Sequence, residues 1–197
     1  MIGIACISGF TETDREATGT DLLHREIERR WGRRPDVEVY DLRPWKHDAA
    51  GFAALMDRDD ISEAIVIGYS WGAGYGSPRL CREILRHGIR IPLVLLCDPV
   101  YRPQWLPAWG PANVFGFRAL FPRSAVIQFP AGVEQILGVR QASTIPQGHR
   151  VQIGEEEPFD VKLLRRTCLT HTNLDSSTEW KSLVLETLEA RLGQCAP

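Results

Sequence analysis

The chain has 197 residues, a length that suits one domain with a sizeable hydrophobic core and leaves little room for two. Hydrophobic residues make up 44% and charged residues 24%, as in ordinary globular proteins, and the formal net charge of −2 argues against a polyanionic partner. The basic cluster at residues 29–34 is short and fits the end of a helix, where cations are favoured. We therefore predict a single domain over residues 1–197 that binds no nucleic acid.

The five cysteines are scattered and odd in number, and they show neither a paired framework nor metal-ligand spacing such as C-x-x-C. This usage indicates a reducing, cytoplasmic setting and predicts no metal site. The apolar start at residues 1–9 has no basic stretch before it and ends at Gly9, so it is too short for a membrane span or a signal peptide. We expect it to be a strand and predict no integral membrane association.

The first half of the chain alternates between apolar runs that predict strands and amphipathic stretches that predict helices. The predicted strands are residues 2–8, 37–40, 64–69 and 91–97, and the predicted helices are residues 20–31, 49–58 and a stretch that ends at His87. Pro78 falls inside this last stretch, where it either starts a new helix or bends the existing one. The alternation predicts an α/β fold of three layers, with a mostly parallel sheet of about five to six strands and helices on both faces.

After residue 98 the alternation stops, and residues 99–123 are rich in proline and in large aromatic side chains. Trp105 and Trp109 in this segment are candidate substrate-binding residues, either lining a pocket or forming a lid over it. The alternative is that they pack down as a secondary core. Further strands are predicted at residues 124–129 and 149–153, and a final helix from Ser177 to Leu192 begins with a predicted capping box of Ser176 and Glu179.

The strongest functional signal is residues 68–72, Gly-Tyr-Ser-Trp-Gly, which match G-x-S-x-G directly after an apolar strand. A strand that reverses sharply into a helix forces its turn residue into a strained conformation, and glycine two positions away on each side avoids a steric clash. The serine oxygen is then held clear above the sheet. This context makes Ser70 a candidate nucleophile, whereas the alternative is an ordinary turn in which the serine only caps a helix.

A serine nucleophile needs a base and an acid that orients the base, and both are expected later in the chain. Asp98 ends the strand that follows Ser70, and its alternative role is to open a turn before Pro99. His171 lies in the loop before the last helix and ranks above His149 as the base. Asp175 competes with Asp98 as the acid, but it lies so close to His171 along the chain that a structural role in the loop is favoured.

A tetrahedral intermediate also needs donors for its oxyanion. The residue after the nucleophile supplies one backbone N–H in this architecture, which predicts Trp71, and the loop after the first strand supplies the other. In that loop Gly9 frees the backbone to turn, so Phe10 is the predicted second donor. The alternative is that Gly9 and Phe10 form only a turn.

These motifs together resemble the α/β-hydrolase superfamily in its order of elements, in the elbow at residues 68–72 and in the histidine before the closing helix. The chain lacks the family's opening hairpin, so its extent is similar to that of cutinases. An acid on the strand directly after the elbow is similar to lipases of the pancreatic type, whereas most members carry the acid one strand later. We take that later strand to be the segment ending at residues 128–130, which has no carboxylate and thereby favours Asp98.

The resemblance implies a serine hydrolase that cleaves a small-molecule or lipid-like carboxylic ester through an acyl-enzyme on Ser70, with no cofactor. The same groups would also cleave a thioester or an amide, so a thioesterase or amidase is the alternative within enzymes. The alternative outside enzymes is a non-catalytic binding protein on the same fold, because a fold does not imply a function.

Overall fold

A computed structural model of the chain describes residues 1–10, 18–100, 125–141, 144, 146–164 and 169–193. The strands within these ranges are β1 (Ile2–Ile7), β2 (Val37–Val39), β3 (Glu63–Tyr69), β4 (Arg90–Cys97), β5 (Val126–Phe129), β6 (Ile136–Gln141), β7 (Arg150–Ile153) and β8 (Lys162–Leu164). The α-helices are α1 (Gly19–Trp31), α2 (Ala49–Arg58), α3 (Ser77–Arg86) and α4 (Thr178–Gly193). The candidate substrate-binding residues Trp105 and Trp109 lie outside the described residues, as does nearly all of the candidate lid, so these remain predictions.

Six strands form the central sheet in the order β2-β1-β3-β4-β6-β8, and every neighbouring pair is parallel. A separate two-stranded parallel sheet pairs β5 with β7. The chain leaves β1 towards β2 on one side, whereas β3 and β4 extend the sheet on the other side. The strand order therefore reverses between β1 and β3, which is where α/β sheets form their ligand crevices. The predicted α/β class with a mostly parallel sheet is confirmed.

The middle of the central sheet is buried on both faces, because β1, β3 and β4 carry apolar residues at successive positions instead of alternating with polar ones. Ile4 and Cys6 of β1 belong to a core shared with α1 and α4, whereas Ala5 and Ile7 belong to a core shared with α2 and α3. Side chains that alternate along a strand thus supply two cores. This arrangement makes three layers of helix, sheet and helix.

One sequence prediction about the sheet is wrong. The strand beside β4 is β6, whereas the segment ending at residues 128–130 forms β5 in the small sheet. β6 was not predicted from the sequence because Gly138 interrupts its apolar run, and glycine weakens a strand prediction. A Cβ at residue 138 would lie 2.1 Å from the carbonyl oxygen of Leu96 on β4, so the close approach of the two backbones requires glycine there.

The first residues of α3 and of α4 bear on two predictions made from the sequence, the place of Pro78 and the cap of the last helix. A single π-helical turn at Gly72–Gly76 precedes α3, which begins at Ser77 with Pro78 in its first turn. Proline has no N–H to donate, and it lies where the π-helical pattern gives way to the α-helical one, while Gly76 and Ser77 keep right-handed helical dihedrals. The last helix is capped by Ser177 in place of the predicted Ser176, since the Ser177 hydroxyl accepts from the Trp180 N–H at 3.2 Å, and Trp180 has no carboxylate to complete a capping box.

None of the helices within the described ranges has the length and apolar character that crossing a lipid bilayer requires.

Candidate active site

Three loops that follow parallel strands meet at one edge of the central sheet. Ser70 follows β3, Asp98 follows β4, and Gly9 lies just after β1. A Cβ at residue 9 would lie 3.1 Å from the Cβ of Ser70, so the loop after β1 runs directly beside the serine. The carboxyl ends of neighbouring parallel strands share one edge of a sheet, which is why these residues converge from distant parts of the chain.

The turn at Ser70 is strained, as the G-x-S-x-G spacing predicts. Ser70 has a φ of +54°, in the left-handed region that side chains rarely adopt. A Cβ at Gly68 would lie 2.5 Å from the Ser77 hydroxyl, and one at Gly72 would lie 2.4 Å from the Ile7 carbonyl oxygen. Both flanking glycines are therefore needed for the backbone to pass through this turn.

We expect Gly72→Ala to lower the free energy of unfolding by about 1–3 kcal/mol, because its methyl group meets rigid backbone at the end of β1 and must displace it. Gly193→Ala is the matched control, since a Cβ at residue 193 meets no described atom within 4 Å. Urea denaturation of both variants measures the difference. Equal stabilities of the two variants would show that the elbow tolerates a side chain at residue 72.

A continuous line of hydrogen bonds joins Ser70, His171 and Asp98. The Ser70 Oγ lies 2.8 Å from the His171 Nε2, and the His171 Nδ1 lies 2.6 Å from the Asp98 Oδ2. If Nδ1 carries the ring proton and donates to the carboxylate, Nε2 is left to accept from the serine hydroxyl. The arrangement suits the transfer of a proton from a hydroxyl to an imidazole.

The Asp98 carboxylate is fully buried and is held by donors. Its Oδ1 accepts from the Gln141 backbone N–H at 3.1 Å, and its Oδ2 accepts from the Gln141 side-chain amide at 3.0 Å as well as facing His171. Donors on both oxygens compensate a buried carboxylate for the water it has lost. Asp98 also has a positive φ of 43°, so the acid, like the serine, sits at a sharp turn after its strand.

Neighbouring residues contact both the backbone and the imidazole ring of His171. The Tyr69 hydroxyl donates to the His171 carbonyl oxygen, and the Tyr69 ring stacks on the imidazole with centroids 5.4 Å apart. The His171 N–H donates to the Thr144 hydroxyl at 2.9 Å. These contacts set the position of the imidazole, whose side chain is 12% exposed.

The predicted oxyanion residues lie beside the serine and form part of an aromatic cluster. The Phe10 ring packs on Trp71 with centroids 4.5 Å apart, and Trp45 packs edge-on against Trp71 at 5.0 Å. Val100, two residues after Asp98, completes the buried side of this cluster. The cluster therefore links the loops after β1, β3 and β4, whereas the donation of the Phe10 and Trp71 N–H groups to an oxyanion stays a prediction.

Asp175 and His149, the alternative candidates for the acid and the base, have other partners. The Asp175 carboxylate accepts from the Thr20 N–H at 3.1 Å, so it caps the start of α1 while the contact with His171 is made by Asp98. His149 lies beside the acid, where its backbone N–H donates to the Pro99 carbonyl oxygen at 2.7 Å. No group of three or more histidine, cysteine or acidic residues within the described ranges is arranged to hold a metal ion.

Gln141 and Thr144, both of which contact the line of hydrogen bonds, were not predicted from the sequence. Neither carries a motif, and Gln141 ends a strand that was not predicted. Tyr69 was part of the elbow motif, but its contact with His171 spans 102 positions and has no local signal.

The fold and this edge of the sheet define the class as a parallel α/β protein with a serine, a histidine and an aspartate in hydrogen-bond contact. Comparison with protein-family models, with curated proteins and with solved structures found no match to this chain.

Proposed function

We propose that this chain is a serine hydrolase that cleaves carboxylic esters through an acyl-enzyme on Ser70. The observation that carries the proposal is the unbroken line from the Ser70 Oγ through the His171 ring to the Asp98 carboxylate, at 2.8 and 2.6 Å. The strained turn at Ser70 supports it, because backbone strain of this kind concentrates at functional sites. The resemblance of the motifs to the α/β-hydrolase superfamily agrees with the same proposal.

In the proposed first half-reaction the Ser70 Oγ attacks the carbonyl carbon of the ester while the His171 Nε2 takes the hydroxyl proton. The carbonyl double bond becomes an oxyanion, which the N–H groups of Trp71 and Phe10 would stabilise. When the oxyanion collapses, the bond to the alcohol breaks and the imidazolium gives its proton to the leaving oxygen. Asp98 stabilises the imidazolium between these two transfers.

In the second half-reaction water attacks the acyl-serine, and the His171 Nε2 takes one proton from that water. Collapse of the second oxyanion returns the proton to the Ser70 oxygen and releases the carboxylic acid. Thioesters and amides pass through the same intermediates. A set of nitrophenyl esters of graded chain length, with a thioester and an anilide of the same acyl group, would identify the substrate class, and we expect the esters to react fastest.

The rival function is a binding protein that keeps the fold without turnover, and a fluorophosphonate probe separates the two. We expect the probe to label the native chain and to leave Ser70→Ala unlabelled, because the probe bonds only to an activated serine oxygen. Ser182→Ala, which removes a hydroxyl from α4, is the matched control and should label like the native chain. A native chain that takes up no label would support the binding protein.

We also propose a cytoplasmic location. Cys6, Cys81 and Cys97 are buried among apolar side chains in the described part of the chain, and burial raises the pKa of the Cys6 thiol to about 12. Thiols of this kind behave as small apolar side chains and suit a reducing compartment.

A further inference from the structure

A closed ring of hydrogen bonds runs through Asp98, Gln141, Thr144 and His171. We propose that Gln141 and Thr144 are positioning residues for the proposed reaction, which hold the carboxylate of Asp98 and the backbone of His171 at one fixed separation. The inference rests on the proposed function, since it assigns to these two residues a part in the same proton transfer.

The Gln141 side chain is fully buried, and its amide group is used at both ends. Its Nε2 donates to the Asp98 Oδ2 at 3.0 Å and to the Pro146 carbonyl oxygen at 2.8 Å. Its Oε1 accepts from the Thr144 N–H at 2.8 Å. A neutral amide is suited to this position because it donates to a carboxylate and accepts from a backbone N–H at the same time.

Thr144 completes the ring towards the histidine. Its hydroxyl accepts from the His171 N–H at 2.9 Å, and the His171 Nδ1 faces the Asp98 Oδ2 at 2.6 Å. Asp98 is thus connected to the loop of His171 in two ways. One connection is direct, through the imidazole, and the other runs through Gln141 and Thr144. The second connection acts on the backbone of residue 171, so it limits how far the ring can drift from Ser70.

Few charged groups lie near the hydrogen-bonded ring, so the effect of changing Gln141 or Thr144 can be separated from other charge effects among the described residues. Asp98 and His171 are its two titratable members. Arg140, the preceding residue of β6, directs its guanidinium to Asp160 at 3.0 Å and to the Gly148 carbonyl oxygen at 3.3 Å. The Gln141 backbone N–H holds the Asp98 Oδ1 whatever the side chain is, so side-chain variants remove only one link to the carboxylate.

The test compares kcat and KM of four variants on a nitrophenyl ester. We expect Gln141→Leu to lower kcat by about 10- to 100-fold while KM stays within about twofold, because a misplaced proton acceptor slows the chemical step and leaves substrate binding intact. Thr144→Val should lower kcat in the same manner, whereas Thr144→Ser, which keeps the hydroxyl, should retain it. Gln152→Leu on β7 is the matched control, since the Gln152 side chain donates only to the nearby Gly154 carbonyl oxygen at 3.3 Å among its described contacts.

Gln141→Glu adds a readout that a purely structural role would not change. The introduced carboxyl donates to Asp98 only while it is protonated and repels Asp98 once it is ionised. We therefore expect kcat of this variant to fall as pH rises through the titration of that carboxyl. The native chain, which has no carboxyl at residue 141, should show no such fall.

The outcomes separate the inference from the proposed function. Folded Gln141→Leu and Thr144→Val with native kcat, or a Gln141→Glu pH profile that matches the native one, would overturn the positioning role while the serine hydrolase stands. A native chain without turnover or fluorophosphonate labelling would overturn both. If Gln141→Leu fails to fold by its melting curve, Thr144→Val against Thr144→Ser decides the question, with kcat loss in Val alone supporting the role and equal kcat overturning it.

Discussion

Ser70→Ala is expected to lower kcat on a nitrophenyl ester by a factor of about 10³ or more, and His171→Ala by a similar factor. Without the oxygen at residue 70 no acyl-enzyme forms, and without the imidazole that lies 2.8 Å away the hydroxyl keeps its proton. Steady-state kinetics of the two single variants and of the double variant measure these losses. The double variant should lose no more than either single variant, because the two groups act in one step.

The control for this experiment is Ser182→Ala, which should keep native kcat and a native melting curve. Ser70→Gly adds a second check, since glycine adopts a φ of +54° without the penalty of a side chain. We expect Ser70→Gly to be inactive and at least as stable as Ser70→Ala. Substantial turnover by either variant at residue 70 would contradict the proposed nucleophile.

Asp98→Asn is expected to lower kcat by about 10⁴-fold, the scale on which an amide in place of the acid impairs serine proteases. An amide nitrogen in place of the oxygen that faces the His171 Nδ1 at 2.6 Å would donate where the carboxylate accepts. The imidazole would then hold its proton on Nε2, where it cannot accept from Ser70. The loss should appear in kcat while the melting curve still shows a folded protein.

Asp175→Asn is the matched control, because Asp175 is also a buried aspartate near the same loop but contacts the Thr20 N–H. An asparagine keeps an oxygen that can accept from that N–H, so we expect near-native kcat and a modest loss of stability. Full activity of Asp98→Asn together with an inactive Asp175→Asn would reverse the assignment of the acid.

Much of the fold was predictable because its signals are local. Runs of consecutive apolar residues mark β1, β3 and β4 as strands buried on both faces, and the structure has them there. The helix α1 follows from apolar residues spaced four apart, and the observed bounds of α1 and α2 differ from the predicted ones by at most one residue. β6 was missed because it contains a glycine that interrupts its apolar run, and β8 was also missed.

The candidate site also has residues that local patterns predict and contacts that they do not. Ser70 and Asp98 were predictable because each ends an apolar strand, and parallel strands bring such ends to one edge of a sheet. Two other contacts join residues that are far apart in the chain: Asp175 caps α1 at Thr20, and Trp45 packs against Trp71. No sequence pattern near these residues predicts either contact. The choice between two nearby aspartates for one imidazole was therefore open until both were placed in space.

By itself the sequence determined the parallel α/β class, the strained elbow with its two glycines and the short set of polar residues from which the proposed nucleophile, base and acid are drawn. These depend on backbone sterics and on hydrophobic periodicity, which act over a few residues. Only the tertiary structure decided that β6 lies beside β4 and that Gln141 consequently meets Asp98. Such contacts depend on how strands order themselves across a sheet, which neighbouring residues in the chain do not encode.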